Sequence, residues 1–118
     1  NGYATILGER GVTLSGGQAQ RISIARAFIK DSEIYLFDDC FSSLDSDTED
    51  RILRNLKNNF QKKTLIIISH RVSCVKDADN IIVLDNGKII QSGSHNELVK
   101  NKGYYKDLYL KQNREIND

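Results

Sequence analysis

The chain has 118 residues and a net charge of +1, with acidic and basic residues intermixed along its length. That length suffices for one small domain with a modest core, and the charge balance argues against a nucleic-acid groove, which normally carries a basic excess. No apolar run is long enough to span a bilayer, the longest being Leu65–Ile68, and no signal-peptide pattern is seen. Cys40 and Cys74 form no C-x-x-C pair, which suits a reduced intracellular compartment with both thiols as small apolar fillers.

Two absences shape the expectation further. The sequence has no methionine and opens on Asn1-Gly2-Tyr3, so it reads as a piece of a larger protein. It also has no G-x-x-x-x-G-K-[ST] phosphate loop. Gly11 and Gly16 have the glycine spacing, but Gly17-Gln18 stand where Lys-Ser/Thr belong.

Residues 1–13 carry glycines without a clear period and read as loop, with Gly8-Glu9-Arg10-Gly11 as a turn. Next comes Leu14-Ser15-Gly16-Gly17-Gln18, which opens a helix running from about Ser15 to Ile29. Ser15 caps that helix and Gln18, three residues on, completes a capping box. Gly16 and Gly17 admit a close ligand, and the first-turn N–H groups at the positive end of the helix dipole favour an anion. Taken alone, the pattern equally fits an ordinary capped helix. Ile22, Ala25, Phe28 and Ile29 recur at helical spacing and form the expected buried stripe, with Lys30 at the negative end.

Glu33–Phe37 is a continuous apolar run that reads as a strand buried on both faces, ending in Asp38-Asp39. Cys40–Asp45 is a polar loop. Ser46-Asp47-Thr48-Glu49 has the form of a second capping box, continued by Ile52, Leu53, Leu56 and Phe60 on one helical face. Thr64–Ser69 is β-branched and apolar, the strongest strand signal, and it ends in His70-Arg71. A short helix follows to about Asp77. Asp79–Leu84 is a third strand, Asn86-Gly87 a two-residue hairpin signal, and a return strand runs to about Gln91. Ser94-His95-Asn96-Glu97 is a third capping box, starting a helix to about Lys100. Past Gly103, Tyr104–Lys111 is a last helix with Tyr104, Leu108 and Tyr109 on its apolar side, and the polar tail 112–118 is expected to fray. Helices alternating with two buried strands, and a hairpin closing the sheet, define an α/β fold with a mostly parallel sheet.

In such sheets ligands bind at the carboxyl ends of the strands. Asp38 at a strand end suits Mg²⁺ held through its water shell, and Asp39 beside it suits polarising a water for attack on a phosphoryl group. The alternative for the pair is a turn or capping role. His70, at the end of the next strand, suits a hydrogen bond to a γ-phosphate or the attacking water; the alternative is a structural histidine. His95 reads as a surface residue in a helix cap, and Lys62-Lys63 as a solvated helix end.

The order of Leu14–Gln18, the strand ending in Asp38-Asp39, Ser42-Ser43-Leu44-Asp45 and Ser69-His70-Arg71 resembles the ATP-binding cassette (ABC) ATPases. Leu14–Gln18 is similar to the family's LSGGQ signature, Ile34–Asp38 to the Walker B strand, Ser42–Asp45 to the D-loop and His70 to the switch histidine. The Ile81–Gln91 hairpin, Ser94–Val99 and Gly103-Tyr104-Tyr105 resemble exporter-type cassettes fused to a transmembrane domain. In those exporters the segment at Gly8–Arg10 lies near the contacts that pass motion to the membrane domain.

The resemblance implies that residues 1–118 are the C-terminal part of one nucleotide-binding domain, a partial P-loop NTPase-like fold without its Walker A loop. It implies ATP and Mg²⁺ as cofactors and a location on the cytoplasmic face of the cell membrane. A second nucleotide-binding domain would pair head to tail with this one, and the transmembrane domain would belong to the same polypeptide, with no nucleic acid involved. Ser15, Gly16, Gly17 and Gln18 would then contact ATP held by the partner cassette. Asp38 would hold Mg²⁺, Asp39 would occupy the position of the catalytic base, His70 would bind the γ-phosphate and Asp45 would communicate across the dimer. The family usually has glutamate where Asp39 stands. The shorter side chain withdraws the carboxylate by about an ångström, a displacement that can cost on the order of a hundredfold in rate. This departure, with an intact signature, suggests the weak-site half of a heterodimeric exporter. The alternatives are a soluble non-transport ABC ATPase of DNA repair or ribosomes, whose coiled-coil inserts and basic linkers are not seen here, and the separate ATPase subunit of an importer. On its own, without the phosphate loop, the 118-residue chain is expected not to hydrolyse ATP.

Overall fold

The computed structural model describes residue 2 and residues 14–117, so the loop and turn expected over residues 1–13 lie outside it. The chain divides into two compact units, Asn1–Ile68 and Ser69–Asp118. The first contains α1 (Gly16–Ile29), β1 (Ile34–Asp38), α2 (Ser46–Asn59) and β2 (Thr64–Ile68). The strands pair in parallel, in register from Ile34↔Thr64 to Asp38↔Ile68.

β1 is not buried on both faces, as its uniformly apolar run suggested. Tyr35 and Phe37 are buried, while Ile34 and Leu36 are 60% and 62% exposed. In a parallel pair, register partners share a face, so Leu36 and Ile66 lie together on the open face, with Ile34 and Ile68 beside them. The covered face is aromatic. Phe28 of α1 and Phe60 at the end of α2 pack against each other and against Tyr35, with ring centroids 4.9–5.9 Å apart. Phe37 continues the cluster to Phe41. Burying a side chain such as Phe37 contributes about 1.5–3 kcal/mol. The Tyr35 hydroxyl satisfies itself at the edge, donating to the Lys30 carbonyl at 2.9 Å and accepting from the Ser32 N–H.

This aromatic layer fixes the phase of α1. Ile24 is buried and Phe28 half-buried, one turn apart, whereas Ile22, Ala25 and Ile29 of the expected stripe are exposed. Apolar residues lie all round this helix, and the rings of β1 select which of them turn inward. On α2 the expected side holds: Leu56 is buried, and Ile52, Leu53 and Phe60 are half-buried. Its cap differs. Asp45, not Ser46, is the N-cap, its carboxylate accepting the Thr48 N–H at 2.9 Å.

The second unit holds α3 (Val72–Val75), β3 (Ile81–Asp85), β4 (Lys88–Gly93), α4 (His95–Lys100) and α5 (Tyr104–Asn117). β3 and β4 form the expected hairpin through Asn86 (φ +46°) and Gly87 (φ +74°), the left-handed pair that a two-residue turn requires. The hairpin does not extend the parallel pair: among the described residues it is a sheet of its own. A register shift between Leu84↔Ile89 and Val83↔Gln91 leaves Ile90 as an extra residue, a bulge. Val72, Ile81, Leu98 and Tyr105 make the core of this unit.

The Ser94/Glu97 capping box forms as the spacing predicts. On α5 Leu108 and Tyr109 pack against the core as expected, but the first ring of that side is Tyr105, which is buried, while Tyr104 is 60% exposed. α5 runs on through Gln112 to Asn117, and Gln112 is bonded to residues 70 and 72. His95 is half-buried rather than a surface residue. Its Nδ1 is 2.8 Å from the Tyr105 hydroxyl, and its ring stands edge-on to Tyr105 and Tyr109.

Candidate phosphate-facing site

The capped N-terminus of α1 and the loop leaving β1 meet within the first unit. Ser15 has extended backbone geometry; its Oγ accepts the Gln18 N–H at 3.2 Å, and its own N–H donates to Gln18 Oε1 at 2.9 Å. The Gln18 side chain is thus folded back as part of the cap. The N–H groups of Gly16 and Gly17 lie in the first turn of α1, where backbone donors have no intrahelical partner. No acidic residue lies in this first turn, so nothing there opposes an incoming anion.

Gly17 is the point of closest approach to the loop. A Cβ placed there would sit 3.0 Å from the Ser43 carbonyl oxygen and 3.8 Å from Leu44 Cδ2. At Gly16 the nearest atoms, on the Ser43 side chain, are 3.7 Å away. Glycine at 17 therefore admits the loop, whereas at 16 the space is not limiting. The two parts are tied by Gln20, whose Nε2 donates to Ser42 Oγ at 3.2 Å and whose Oε1 accepts the Ser43 N–H at 3.0 Å. Ser42 Oγ in turn donates to the Asp39 carbonyl at 3.1 Å. Sequence reasoning passed over Gln20, because a contact spanning 22 residues leaves no local pattern.

Asp38 and Asp39 are both exposed at the carboxyl end of β1. The Asp39 N–H donates to the Ile68 carbonyl at 2.9 Å, extending the ladder one residue beyond β1. Its φ of +46° then turns the chain out of the sheet, a conformation that Asp tolerates better than most residues. Asp45 ends the loop as the α2 cap. Its carboxyl is held below the usual carboxylate range, first by the Thr48 backbone N–H, then by the Thr48 hydroxyl, with the Arg21 charge adding a little. His70 belongs to the second unit and is exposed. Its carbonyl accepts from Gln112 Nε2 at 2.8 Å.

Among the described residues no three His, Cys, Asp or Glu side chains gather into a metal cage. The donor set at Asp38-Asp39 still fits Mg²⁺, which takes one or two carboxylates together with phosphate oxygens and keeps several waters. Among the described residues no helix is long and apolar enough to cross a membrane.

The family model described as ABC transporter matches residues 2–42, which include Leu14–Gln18 and Asp38-Asp39. The chain is 46% identical over 94% of its length to an "ATP-dependent lipid A-core flippase" of Alkalilimnicola ehrlichii, covering 19% of that protein. It is 49% identical over 97% of its length to the "Multidrug resistance-like ATP-binding protein MdlA" of Escherichia coli, again covering 19%. To the "Leukotoxin export ATP-binding protein LtxB" of Aggregatibacter actinomycetemcomitans it is 49% identical over 94% of its length and 16% of that protein. A solved bacterial Atm1-family ABC exporter with ATP bound superimposes with a TM-score of 0.89 at 43% identity, covering 94% of this chain and 20% of the exporter.

A capped glycine helix packed on an aspartate-ended parallel strand defines a partial ABC-type ATPase fold. Residues 2–42 match the ABC transporter family, and nearly the whole chain is similar to the ATP-binding segments of the relatives above. It spans about a fifth of the length of the curated relatives it matches.

Proposed function

We propose that the protein containing this chain is an ABC exporter that couples ATP binding and hydrolysis to transport across a membrane. This chain would supply the signature, Walker B, D-loop and switch-histidine segments of its nucleotide-binding domain, residues 1–118 forming the C-terminal part of that domain. The observation that carries the reading is the capped N-terminus of α1, with Ser15–Gln18 packed against the loop that follows Asp38-Asp39. The likeness to an ATP-bound exporter and the flippase, drug-resistance and toxin-export names of the relatives favour the exporter over a soluble ABC ATPase or an importer subunit.

In this reading a second cassette pairs head to tail with this one, and a transmembrane domain of the same polypeptide holds both at the cytoplasmic face of the membrane. Ser15, Gly16, Gly17 and Gln18 contact the γ-phosphate of ATP bound to the partner cassette. Asp38 holds Mg²⁺ together with phosphate oxygens and water, the ion supplying neutralisation of phosphate charge. Asp39 holds the position of the base, His70 that of the γ-phosphate contact, and Asp45 carries communication across the pair while capping α2. The short side chain of Asp39 makes this the weak hydrolytic site of a heterodimer, whose strong site is completed by Leu14–Gln18.

The test uses the complete protein in lipid vesicles. It is expected to hydrolyse ATP only with Mg²⁺, and Asp39→Glu is expected to raise the rate. Absence of Mg²⁺-dependent hydrolysis would remove the ATPase reading. An unchanged rate in Asp39→Glu, with hydrolysis retained after loss of the partner cassette's base, would remove the weak-site assignment alone.

A further inference from the structure

The Gln20 side chain is half-buried between α1 and the loop after β1, and both ends of its amide are used. Oε1 accepts the Ser43 N–H and Nε2 donates to Ser42 Oγ, which passes the contact on to the Asp39 carbonyl. One amide therefore fixes two consecutive loop residues and, through a hydroxyl, the backbone of the residue beside Asp38. It does so one turn from Gly16 and Gly17, where the Ser43 carbonyl already lies against the helix.

Neither local propensity nor apolar packing requires glutamine here. Alanine is the better helix former, and the apolar contacts of this helix run through Ile24 and Phe28. What glutamine adds is a donor and an acceptor in one planar group of fixed spacing. A serine pair facing it supplies the complementary acceptor and donor. A merely solvated polar residue would not have both ends matched.

We propose that Gln20 is a positioning residue, holding the ligand-facing N-terminus of α1 and the Asp39–Asp45 loop in one fixed arrangement. It touches neither nucleotide nor metal, and acts by setting where Ser15–Gly17 present their N–H groups relative to Asp38 and Asp39. The inference rests on the reading of Ser15–Gln18 as a phosphate-contacting segment. Because the loop and the helix end belong to different ATP sites in that reading, Gln20 makes the geometry of one site depend on the other.

The experiment compares Gln20→Ala, Gln20→Met and Gln20→Glu in the complete protein. Methionine keeps the length and loses both hydrogen bonds. Glutamate keeps an acceptor for the Ser43 N–H but has no donor for Ser42 Oγ, whose one proton goes to the Asp39 carbonyl. The alanine and methionine variants are expected to lower kcat for ATP hydrolysis by about tenfold or more, with KM within about twofold, since a displacement of about an ångström costs on the order of a hundredfold. The glutamate variant, which keeps one of the two bonds, is expected to lose less rate than the methionine variant. Hydrogen exchange at the Ser43 amide is expected to quicken in the methionine variant, a readout that does not depend on activity. Ser42→Ala added to Gln20→Ala is expected to cost less than Ser42→Ala alone, as for residues in one network. A wild-type kcat in Gln20→Met, unchanged exchange at Ser43, or losses at Gln20 and Ser42 that simply multiply would each overturn the proposal. Absence of ATP hydrolysis by the unaltered protein would instead remove the function on which it rests, while exchange at Ser43 would still report the tie itself.

Discussion

Gln112 grips the backbone on both sides of Arg71: its Nε2 donates to the His70 carbonyl and its Oε1 accepts the Val72 N–H, each at 2.8 Å. The last helix of the chain thereby sets the path of the segment that presents His70. It can do so because Tyr105, Leu108, Tyr109 and Gln112 follow one face of α5, with Tyr105 buried in the core beside Val72.

Gln112→Ala is expected to leave the Val72 N–H without its acceptor in a buried setting, at a local cost of about 1–3 kcal/mol. Hydrogen exchange at Val72 should quicken by about tenfold or more, with a matching loss of ATP turnover in the complete protein. Unchanged exchange at Val72 would show that the clamp carries no weight.

The two signature glycines are expected to respond differently. Gly17→Ala presses a Cβ against the Ser43 carbonyl at 3.0 Å, so the loop must move. Hydrogen exchange at Ser43 and Leu44 should quicken even without nucleotide. Gly16→Ala meets nothing closer than 3.7 Å among the described residues and should leave that exchange unchanged, so any loss of turnover would arise on the ligand side. Equal disturbance of the loop by both variants would contradict this.

The same contacts show what was legible in the sequence. Caps were readable wherever one residue alone fitted: Ser15 with Gln18 and Ser94 with Glu97 formed as written. Asp45 and Ser46 are both good caps, and Glu49 offered Ser46 a box; only the structure shows Asp45 accepting from Thr48. The direction of β1 was hidden because Ile34, Tyr35, Leu36 and Phe37 are all apolar, so no alternation marks a face. Rings facing Phe28 and Phe60 make that choice. Adjacent Tyr104 and Tyr105 concealed in the same way which of the two rings faces the core, while Leu108 and Tyr109 were legible. The motif order at Leu14–Gln18, Asp38-Asp39 and His70 was legible because each motif is local. Gln20 and Gln112 were not, since their partners lie 22 to 42 residues away.

Two carboxylates predict the acid limb of stability. Glu97 is held below the usual range, first by the Ser94 backbone N–H and then by the Ser94 hydroxyl. Asp45 is lowered by Thr48. A carboxyl whose folded pKa lies below its unfolded value of about 4 adds stability that is present above that value and lost as pH falls through the folded one. Glu97→Gln should therefore be less stable than wild type at pH near 7, and the difference should shrink below pH about 4. Hydrogen exchange across α4 at the two pH values checks it; a difference that persisted or grew in acid would contradict the assignment.

Tyr105 acts at the other end of the scale. Burial pushes its phenol up, with the Tyr109 charge adding to the shift. Its contribution is present below pH about 10 and lost as pH rises through the raised value. Tyr105→Phe should flatten the alkaline loss of exchange protection at Leu98 and Val72, and an unaltered alkaline profile would count against it.

In the proposed function Leu14–Gln18 matters more to turnover than Asp39, the carboxylate beside Asp38. Steady-state ATP hydrolysis by the complete exporter in lipid vesicles, comparing Ser15→Arg with Asp39→Asn, tests that directly. Losing the Ser15 cap that fixes the first-turn N–H groups of α1, and placing a long side chain where a phosphate would approach, should lower turnover by about a hundredfold or more, whereas Asp39→Asn should stay within about threefold of wild type, since a carboxylate already withdrawn has little rate left to lose. A loss in Asp39→Asn equal to or greater than that in Ser15→Arg would contradict the account.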